Sequence, residues 1–405
     1  MLRKQDIKQV IRSQSKTMEA GEHLIKRELD EAFDINIPHA LIITGVRRSG
    51  KSTFMKQLME KHIKTRYVSF EDVRLSGFEK EDFEKLEEIF SEEDNEDEVY
   101  LFDEIQNIQG WELYVRQKLD QRKRIIITGS NASLLSRELG TRLTGRHLDF
   151  EMLPFSFTEF LAFKGQSPSK ERFEKYLTIG GFPEYLQSLK EEILQNLLND
   201  ILIRDIAVRY NLRNTRVLRE LAVFLLTNLG KPFTFQSLRK TFNLGATSTI
   251  IDYISFLEDS YLIFTVPKFD YSLKKQTYYP KKIYAIDNGL ANANSLSFSS
   301  DKGRLLENLV FINLRRRYKE IFYFNRNYEC DFVVREKNQI IKVIQVCYEI
   351  NTDNKEREYN GLMDAMDFFN LESGYLLTMN EEDKLTFKGK MILIKPVWKF
   401  FIENE

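Results

Sequence analysis

Nine residues, GVRRSGKST at Gly45–Thr53, place two glycines, two arginines, a lysine and two hydroxyls directly after the apolar run ALIIT. Gly45, Gly50, Lys51 and Ser52 satisfy the spacing G-x-x-x-x-G-K-[ST], with a strand pattern before them and a helix pattern after. Glycines at those positions let successive main-chain N–H groups curl around phosphates. The helix N-terminus adds its dipole, the lysine reaches the β and γ oxygens, and the serine ligates Mg2+. The expected chemistry is capture of a nucleoside triphosphate, with Arg47, Arg48, Ser49 and Thr53 completing the cradle. The side chains of Arg47 and Arg48 either face a partner or pair with the chain's own acidic stretch. An ordinary glycine-rich turn is the plain alternative.

A second group belongs with the first. VYLFDEIQNIQGWE ends an apolar run in Asp103 and Glu104, two carboxylates at the C-terminal end of a buried strand, where ligands of open α/β sheets sit. Asp103 is expected to hold Mg2+ and Glu104 to orient or activate the attacking water. The next apolar run, RIIITGSN, ends in Ser130 and Asn131, polar groups able to sense the γ-phosphate or the attacking water; a plain turn is the alternative. ELGTRLTGRHLDF then offers Arg142 and Arg146, either as solvated arginines or as the positive charge that phosphoryl transfer needs, supplied from a neighbouring subunit.

These groups need a scaffold, and the pattern of elements supplies one. From ALIIT onward, RYVSF, VYLFDE, RIIITGS and HLDFEML alternate with helix-period stretches, which predicts a doubly wound parallel sheet with crossover helices. Residues 1–36 read as an amphipathic helical flap. Residues 156–200 read as helices broken by a turn at GGFP, Gly180–Pro183, and residues 201–262 as helices without strands. TFQSLRKTFN and TSTIIDYISFLEDS form a helix-turn-helix-like unit followed by the strand-like YLIFTV. EIFYFN, CDFVVRE, IIKVIQVCYEI and GYLLTM, with two helices among them, predict a second α/β domain. The expected boundaries are 1–155, 156–200, 201–290 and 291–405.

Composition narrows the function classes. With 405 residues the chain exceeds what one core usually supports. Lys and Arg (60) nearly cancel Asp and Glu (61), which excludes a wholly basic nucleic-acid coat but not a local basic patch. Residues 71–104 hold 16 acidic against 3 basic residues and read as a solvated helix and loop; residues 201–290 hold 13 basic against 7 acidic. Two cysteines cannot frame a disulfide network and the four histidines lack ligand spacing, so a reducing cytoplasm is expected. No apolar run has the length of a membrane span, and the charged N-terminus is unlike a signal peptide, so no membrane partner is expected.

GVRRSGKS, LFDEIQNIQGWE, TGSNASLLSRELGTRLTGR with LPFSFTEF, and GGFPEYL together resemble the prokaryotic AAA-superfamily (AAA+) ATPases that carry a C-terminal domain of unknown function, number 4143. The resemblance covers most of the chain. It implies ATP binding and hydrolysis, a helical lid over 156–200, a winged-helix segment over 201–290, and a restriction-endonuclease-like α/β domain over 291–405. Endonucleases of that fold gather carboxylates and a lysine about Mg2+. The candidates here are Glu307 and Asp331, but where an active member would read Glu-x-Lys this chain has Gln345, Val346 and Cys347. A neutral Gln binds Mg2+ poorly and Cys cannot replace the ammonium, so a catalytically degenerate site is expected. Glu349 could substitute from the same strand face. The plain alternatives are a structural hydrogen-bond pair for Glu307 and Asp331 and buried thiols for Cys330 and Cys347.

In the winged-helix segment Ile250, Ile251, Ile254 and Leu257 make the core stripe of the would-be reading helix, and Asp252, Glu258 and Asp259 its polar face, which repels phosphates. Basic residues lie elsewhere, among them Arg204, Arg209, Arg239, Lys240 and the segment SLKKQTYYPKK, where tyrosines interleave with lysines as in surfaces that stack on and neutralise nucleic acid. A solvated positive face or a subunit contact is the alternative. The preferred expectation is a homo-oligomeric, ATP- and Mg2+-dependent ATPase that remodels or moves along DNA. A nucleotide-gated switch on a protein partner is the second reading and an ATP-regulated nuclease the third.

Overall fold

The computed structural model describes residues 2–19, 24–61, 64–92, 98–130, 145–296 and 301–403. The chain divides into two compact units, Met1–Leu153 and Pro154–Glu405. In the first, the apolar runs become β1 (Ala40–Thr44), β2 (Thr65–Ser69), β3 (Val99–Asp103), β4 (Arg124–Gly129) and β5 (His147–Glu151). All pair in parallel in the order β2-β3-β4-β1-β5, so Thr44, Asp103 and Gly129 finish at one end of the sheet. Alternate side chains go to opposite faces and both faces are covered. Ile42, Phe102 and Ile127 pack with Phe70 and Phe83; Leu41, Ile43 and Leu101 pack with Phe54 and Met55. Two-sided burial is why the inner strands β1, β3 and β4 read as apolar runs, while the edge strands β2 and β5 carry polar residues and are partly exposed.

Four helices surround this sheet: α1 (Lys4–Glu19), α2 (Lys51–Lys61), α3 (Asp82–Ser91) and α4 (Trp111–Asp120). The expected N-terminal flap is instead built into the unit. Ile7 and Val10 of α1 enter the core, and the Gln14 amide pairs with edge strand β2 as a neighbouring backbone would, donating to Ser69 O (3.0 Å) and accepting from Ser69 N (3.0 Å). Lys4 pairs with Glu88 (2.9 Å) and Glu92, and Lys8 with Glu92, so the described part of the acidic stretch is partly neutralised by α1 rather than simply solvated.

The second unit begins with helices Phe157–Lys164, Lys170–Ile179, Pro183–Ser188 and Glu191–Asp200, the last continuing as a π-helix over Ile201–Val208. The GGFP turn is fixed by close approach. A Cβ on Gly181 would lie 2.2 Å from Phe155 O, and one on Gly180 (φ 70°) would lie 2.2 Å from the Asp287 carboxylate, which itself accepts from Gly181 N at 2.6 Å. Helices Arg216–Thr227, Phe235–Thr241 and Thr247–Asp259 follow, with β6 (Pro232–Phe233) between the first two. Thus the stretch expected to be wholly helical holds one strand, too short to show a period. It pairs with β8 (Lys281–Ala285), which also pairs with β7 (Ile263–Pro267); a short helix, Leu273–Tyr278, lies in the β7–β8 connection.

The last third is the expected α/β region. Helix Lys302–Arg315 leads into an antiparallel meander of β9 (Glu320–Asn325), β10 (Glu329–Glu336) and β11 (Gln339–Val346). Helix Lys355–Phe369 then leads to β12 (Ser373–Thr378), parallel to β11, and a hairpin of β13 (Asp383–Phe387) and β14 (Lys390–Pro396) extends the sheet. The fold is therefore α/β, a five-stranded parallel P-loop sheet plus a mixed six-stranded sheet. Among the described residues no helix is long and apolar enough to cross a membrane.

Candidate functional site

The loop Gly45–Gly50 joins the end of β1 to the start of α2, with Ser52 and Thr53 exposed in the first turn. Gly45 (φ 153°) cannot carry a side chain, because a Cβ would lie 2.1 Å from Met152 O. Gly50 (φ 100°) and Arg48 (φ 64°) also take the left-handed region, which curls the loop. Lys51 is buried, and its ammonium donates to Gly45 O (2.9 Å) and Val46 O (3.2 Å), 3.8 Å from Glu104 Oε1. Ser49 Oγ is buried without a hydrogen bond among the described residues. Arg47 donates to Glu71 Oε1 (2.8 Å), the first residue of the acidic stretch. Two glycines in backbone conformations that disfavour side chains, an ammonium parked on its own loop's carbonyls and an orphaned buried hydroxyl together fit a bound phosphate chain.

The carboxylates stand opposite. Asp103 is buried at the end of β3; Tyr67 donates to its Oδ2 (3.1 Å) and the Thr128 hydroxyl to its Oδ1. The same Thr128 oxygen accepts from Glu104 N at 3.1 Å. Glu104 sits in the left-handed region (φ 53°), which turns its side chain off the strand course toward Lys51, and Gln106 donates to its Oε2. Burial raises the Glu104 carboxyl above its ordinary range; Lys51 pulls it down and Asp103 pushes it up again.

Besides Tyr67, three further residues of this site are not singled out by the sequence reading. Thr128 lies inside an apolar run and acquires meaning only through the β3–β4 register, which pairs Phe102 with Ile127. Gln106 carries a signal, since it follows the acidic pair by two residues. Arg27, from the N-terminal segment, is buried and donates to Ser49 O (2.9 Å) and Leu153 O (2.6 Å), bracing the loop from behind. Ser130 is buried at the end of β4, while Asn131 and Arg142 lie outside the described residues. Arg146 lies at the other end of the sheet: its carbonyl accepts from Ala40 N at the start of β1 (3.1 Å) and its guanidinium donates to Asp120 (2.8 Å).

In the second unit Glu307 and Asp331 do come together, around a residue expected elsewhere. The ammonium of Lys282 is 2.9 Å from Asp331 Oδ1, 3.0 Å from Glu307 Oε1 and 2.9 Å from Glu329 Oε1, and only 2% of Lys282 is exposed. This corrects its place in an exposed basic segment. Gln345 serves structure, accepting from Asp331 N (3.2 Å) and donating to Glu358 (2.6 Å), while Val346 N donates to Asp331 Oδ2 (3.0 Å). Cys347 lies apart, its thiol on Glu349 O (3.0 Å) and pushed up to about 11 by burial. β11 ends at Val346, so the alternation that would bring Glu349 into the centre does not extend that far. Among the described residues no group of three His, Cys, Asp or Glu side chains is arranged to hold a metal ion.

An AAA domain family matches residues 38–161, and a second family, described as Domain of unknown function (DUF8612), matches residues 170–301. The second match corrects the expected domain number 4143. Uncharacterized protein MJ1544 of Methanocaldococcus jannaschii is 39% identical over 397 residues, 90% of this chain and 88% of that protein. An uncharacterized protein of Haemophilus influenzae is 31% identical, covering 78% of this chain and 84% of its own. A solved structure of Drosophila ORC bound to AT-rich DNA and Cdc6 aligns with 72% of this chain and 97% of its own at 13% identity and a TM-score of 0.24, too low to carry weight. The chain belongs to the family of the Methanocaldococcus jannaschii and Haemophilus influenzae proteins and carries an AAA-type P-loop ATPase domain.

Proposed function

We propose that this protein is a Mg2+-dependent ATPase that works as a homo-oligomer and uses hydrolysis to rearrange its C-terminal unit on DNA. The observation that carries the hydrolytic part is the single hydroxyl of Thr128 bonded to both Asp103 and the Glu104 backbone, with Glu104 facing Lys51. In this reading the amides of Gly45–Ser52 hold the phosphates and Lys51 leaves its loop carbonyls for the β and γ oxygens. Ser52 and Asp103 are the residues that would hold Mg2+, whose charge offsets that of the phosphates. Glu104 orients the attacking water and takes its proton, and burial, which raises its carboxyl, makes it a stronger base than an ordinary glutamate. Ser130 and Asn131 are assigned to sensing the γ-phosphate or the attacking water, and Arg142 or Arg146 to the site of a neighbouring copy.

The nucleic-acid part rests on the second unit. Helices Phe235–Thr241 and Thr247–Asp259 with hairpin β7–β8 are read as a winged-helix platform, over residues 201–290, behind a helical lid at 156–200. Nuclease chemistry stays the third reading: Lys282 stands with Glu307 and Asp331 as an endonuclease lysine would, but neutral Gln345, bonded to Asp331 N and to Glu358, takes the place of a metal-binding carboxylate. One observation favours the switch reading: Gln106 engages the Glu104 carboxylate and, if it held on after ATP binds, turnover would be slow.

The deciding measurement is steady-state ATP hydrolysis with and without single-stranded and duplex DNA, beside Glu104→Gln. The motor reading expects stimulation by DNA, with E104Q retaining ATP affinity but losing turnover. Slow turnover indifferent to every nucleic acid would replace it with the switch.

A further inference from the structure

The β7–β8 connection carries an unusual surface. Tyr271, Leu273 and Tyr278 are 79%, 74% and 77% exposed, three of the most exposed large apolar side chains among the described residues, within eight positions of one another. Lys274 and Lys275 lie between them, also exposed, and Lys268 stands over the Tyr279 ring at 4.7 Å. One acidic group opposes them, Asp270, 3.8 Å from Lys275. An exposed ring normally costs free energy in water, and lysines keep the surrounding field positive.

The helix that would enter a duplex groove is differently equipped. On Thr247–Asp259, Glu258 accepts from Thr265 N (3.0 Å) and Thr265 Oγ1 (2.6 Å), and Asp259 accepts from Tyr210 OH (2.9 Å). Both carboxylates are engaged at the C-terminal end of the helix, and the helix itself, Thr247–Asp259, carries no arginine or lysine to attract phosphates.

We propose that the connection between β7 and β8 is a stacking platform for unpaired nucleic-acid bases, with Tyr271 and Tyr278 against base faces and Lys274, Lys275 and Lys268 on the phosphates. This rests on the nucleic-acid reading above and sharpens it. The preferred ligand is single-stranded, contact is largely independent of sequence, and the reading helix is not the main contact. Rings favour unpaired bases because in a duplex both base faces are already stacked on neighbours, whereas phosphates are offered equally by either form. A protein partner for the same surface would need no such preference for strand state.

The test is fluorescence anisotropy of a labelled oligothymidine and a labelled duplex of equal length against the full chain with ATP and Mg2+. It compares wild type, Tyr271→Ala with Tyr278→Ala, and Lys274→Ala with Lys275→Ala. All four side chains are exposed, and melting curves check that each variant is folded. Wild type is expected to favour oligothymidine, and the double tyrosine variant to lose about 5- to 150-fold in that affinity per ring while its duplex affinity changes little. The double lysine variant is expected to lower the salt slope on oligothymidine by roughly 0.7 per lysine. Oligothymidine binding untouched by the tyrosine substitutions, or equal losses on both ligands, overturns the stacking platform while leaving DNA binding in place. Failure of wild type to bind either ligand overturns the nucleic-acid reading itself.

Discussion

One hydroxyl sets the geometry of the two carboxylates. Thr128 donates to Asp103 and accepts from Glu104 N, so Thr128→Ala removes a bond to a charged group and leaves an amide unpartnered. Bonds to charged groups are worth about 1.5–3 kcal/mol, and kcat is expected to fall roughly 10- to 150-fold with ATP affinity little changed, while Thr128→Ser keeps most activity. Steady-state kinetics with a nucleotide titration reads both, and an unaltered kcat would remove Thr128 from the reaction. The Glu104 carboxyl gives a second handle. Burial raises it, so the proton is held to higher pH than on an ordinary glutamate near 4.3, and a base must be free of it. Activity is therefore expected to fall on acidification at a pH above the ordinary carboxylate range, a limb absent from the residual rate of E104Q; a limb at or below that range would contradict the role. The glycines, Lys51 and the acidic pair were legible because their chemistry shows in local spacing. Thr128 was not, because its role depends on the register of two strands twenty residues apart.

Elements tell the same story at longer range. The inner strands β1, β3 and β4 were readable because both faces are buried, so each shows as an apolar run, whereas the edge strands β2 and β5 are partly exposed and mix polar with apolar residues. The two residues of β6 show no period at all, and β13–β14 carried an unread hairpin signal at Lys388-Gly389, whose φ values of 48° and 84° are those of a primed turn. Lys282 illustrates the limit most clearly. On β8 it shares a face with Tyr284, which bonds the same Glu307 (2.6 Å), but Glu307, Glu329 and Asp331 follow it by 25 to 49 residues and nothing local distinguishes it from Lys281. Its ammonium joins β8 to helix Lys302–Arg315 and to β10. Lys282→Met keeps the stem and strands Glu307 and Asp331 without their counter-ion, an expected loss of about 3–5 kcal/mol on denaturant unfolding. Burial already raises the Glu307 carboxyl, so in mild acid, between the ordinary carboxylate range and neutrality, it takes a proton and the loss should shrink. A loss independent of pH, or none, would show that the cluster is not held by this charge.

At the scale of the whole molecule, the position of Arg146 bears on assembly. Its carbonyl is pinned to Ala40 at the start of β1, while the phosphate loop begins after Thr44, about 13 Å further along the strand. Its guanidinium is engaged with Asp120 at that far end, away from the cradle of its own chain. If Arg146 neutralises a transferring phosphoryl group, it must do so for a neighbouring copy, across a head-to-tail contact in which each subunit offers its cradle on one surface and its arginine on another. Subunit mixing tests this without knowledge of the ring size. Lys51→Ala removes the lysine of the cradle but keeps the arginine; Arg146→Ala does the reverse. Each alone is expected to be inactive, whereas the two co-expressed place intact cradles beside intact arginines at random and should recover about a quarter of wild-type turnover. R146A that hydrolyses ATP normally by itself, or a mixture no more active than its parts, would sink the role for Arg146. The same mixing with Arg142→Ala then asks whether the neighbouring copy supplies that arginine instead.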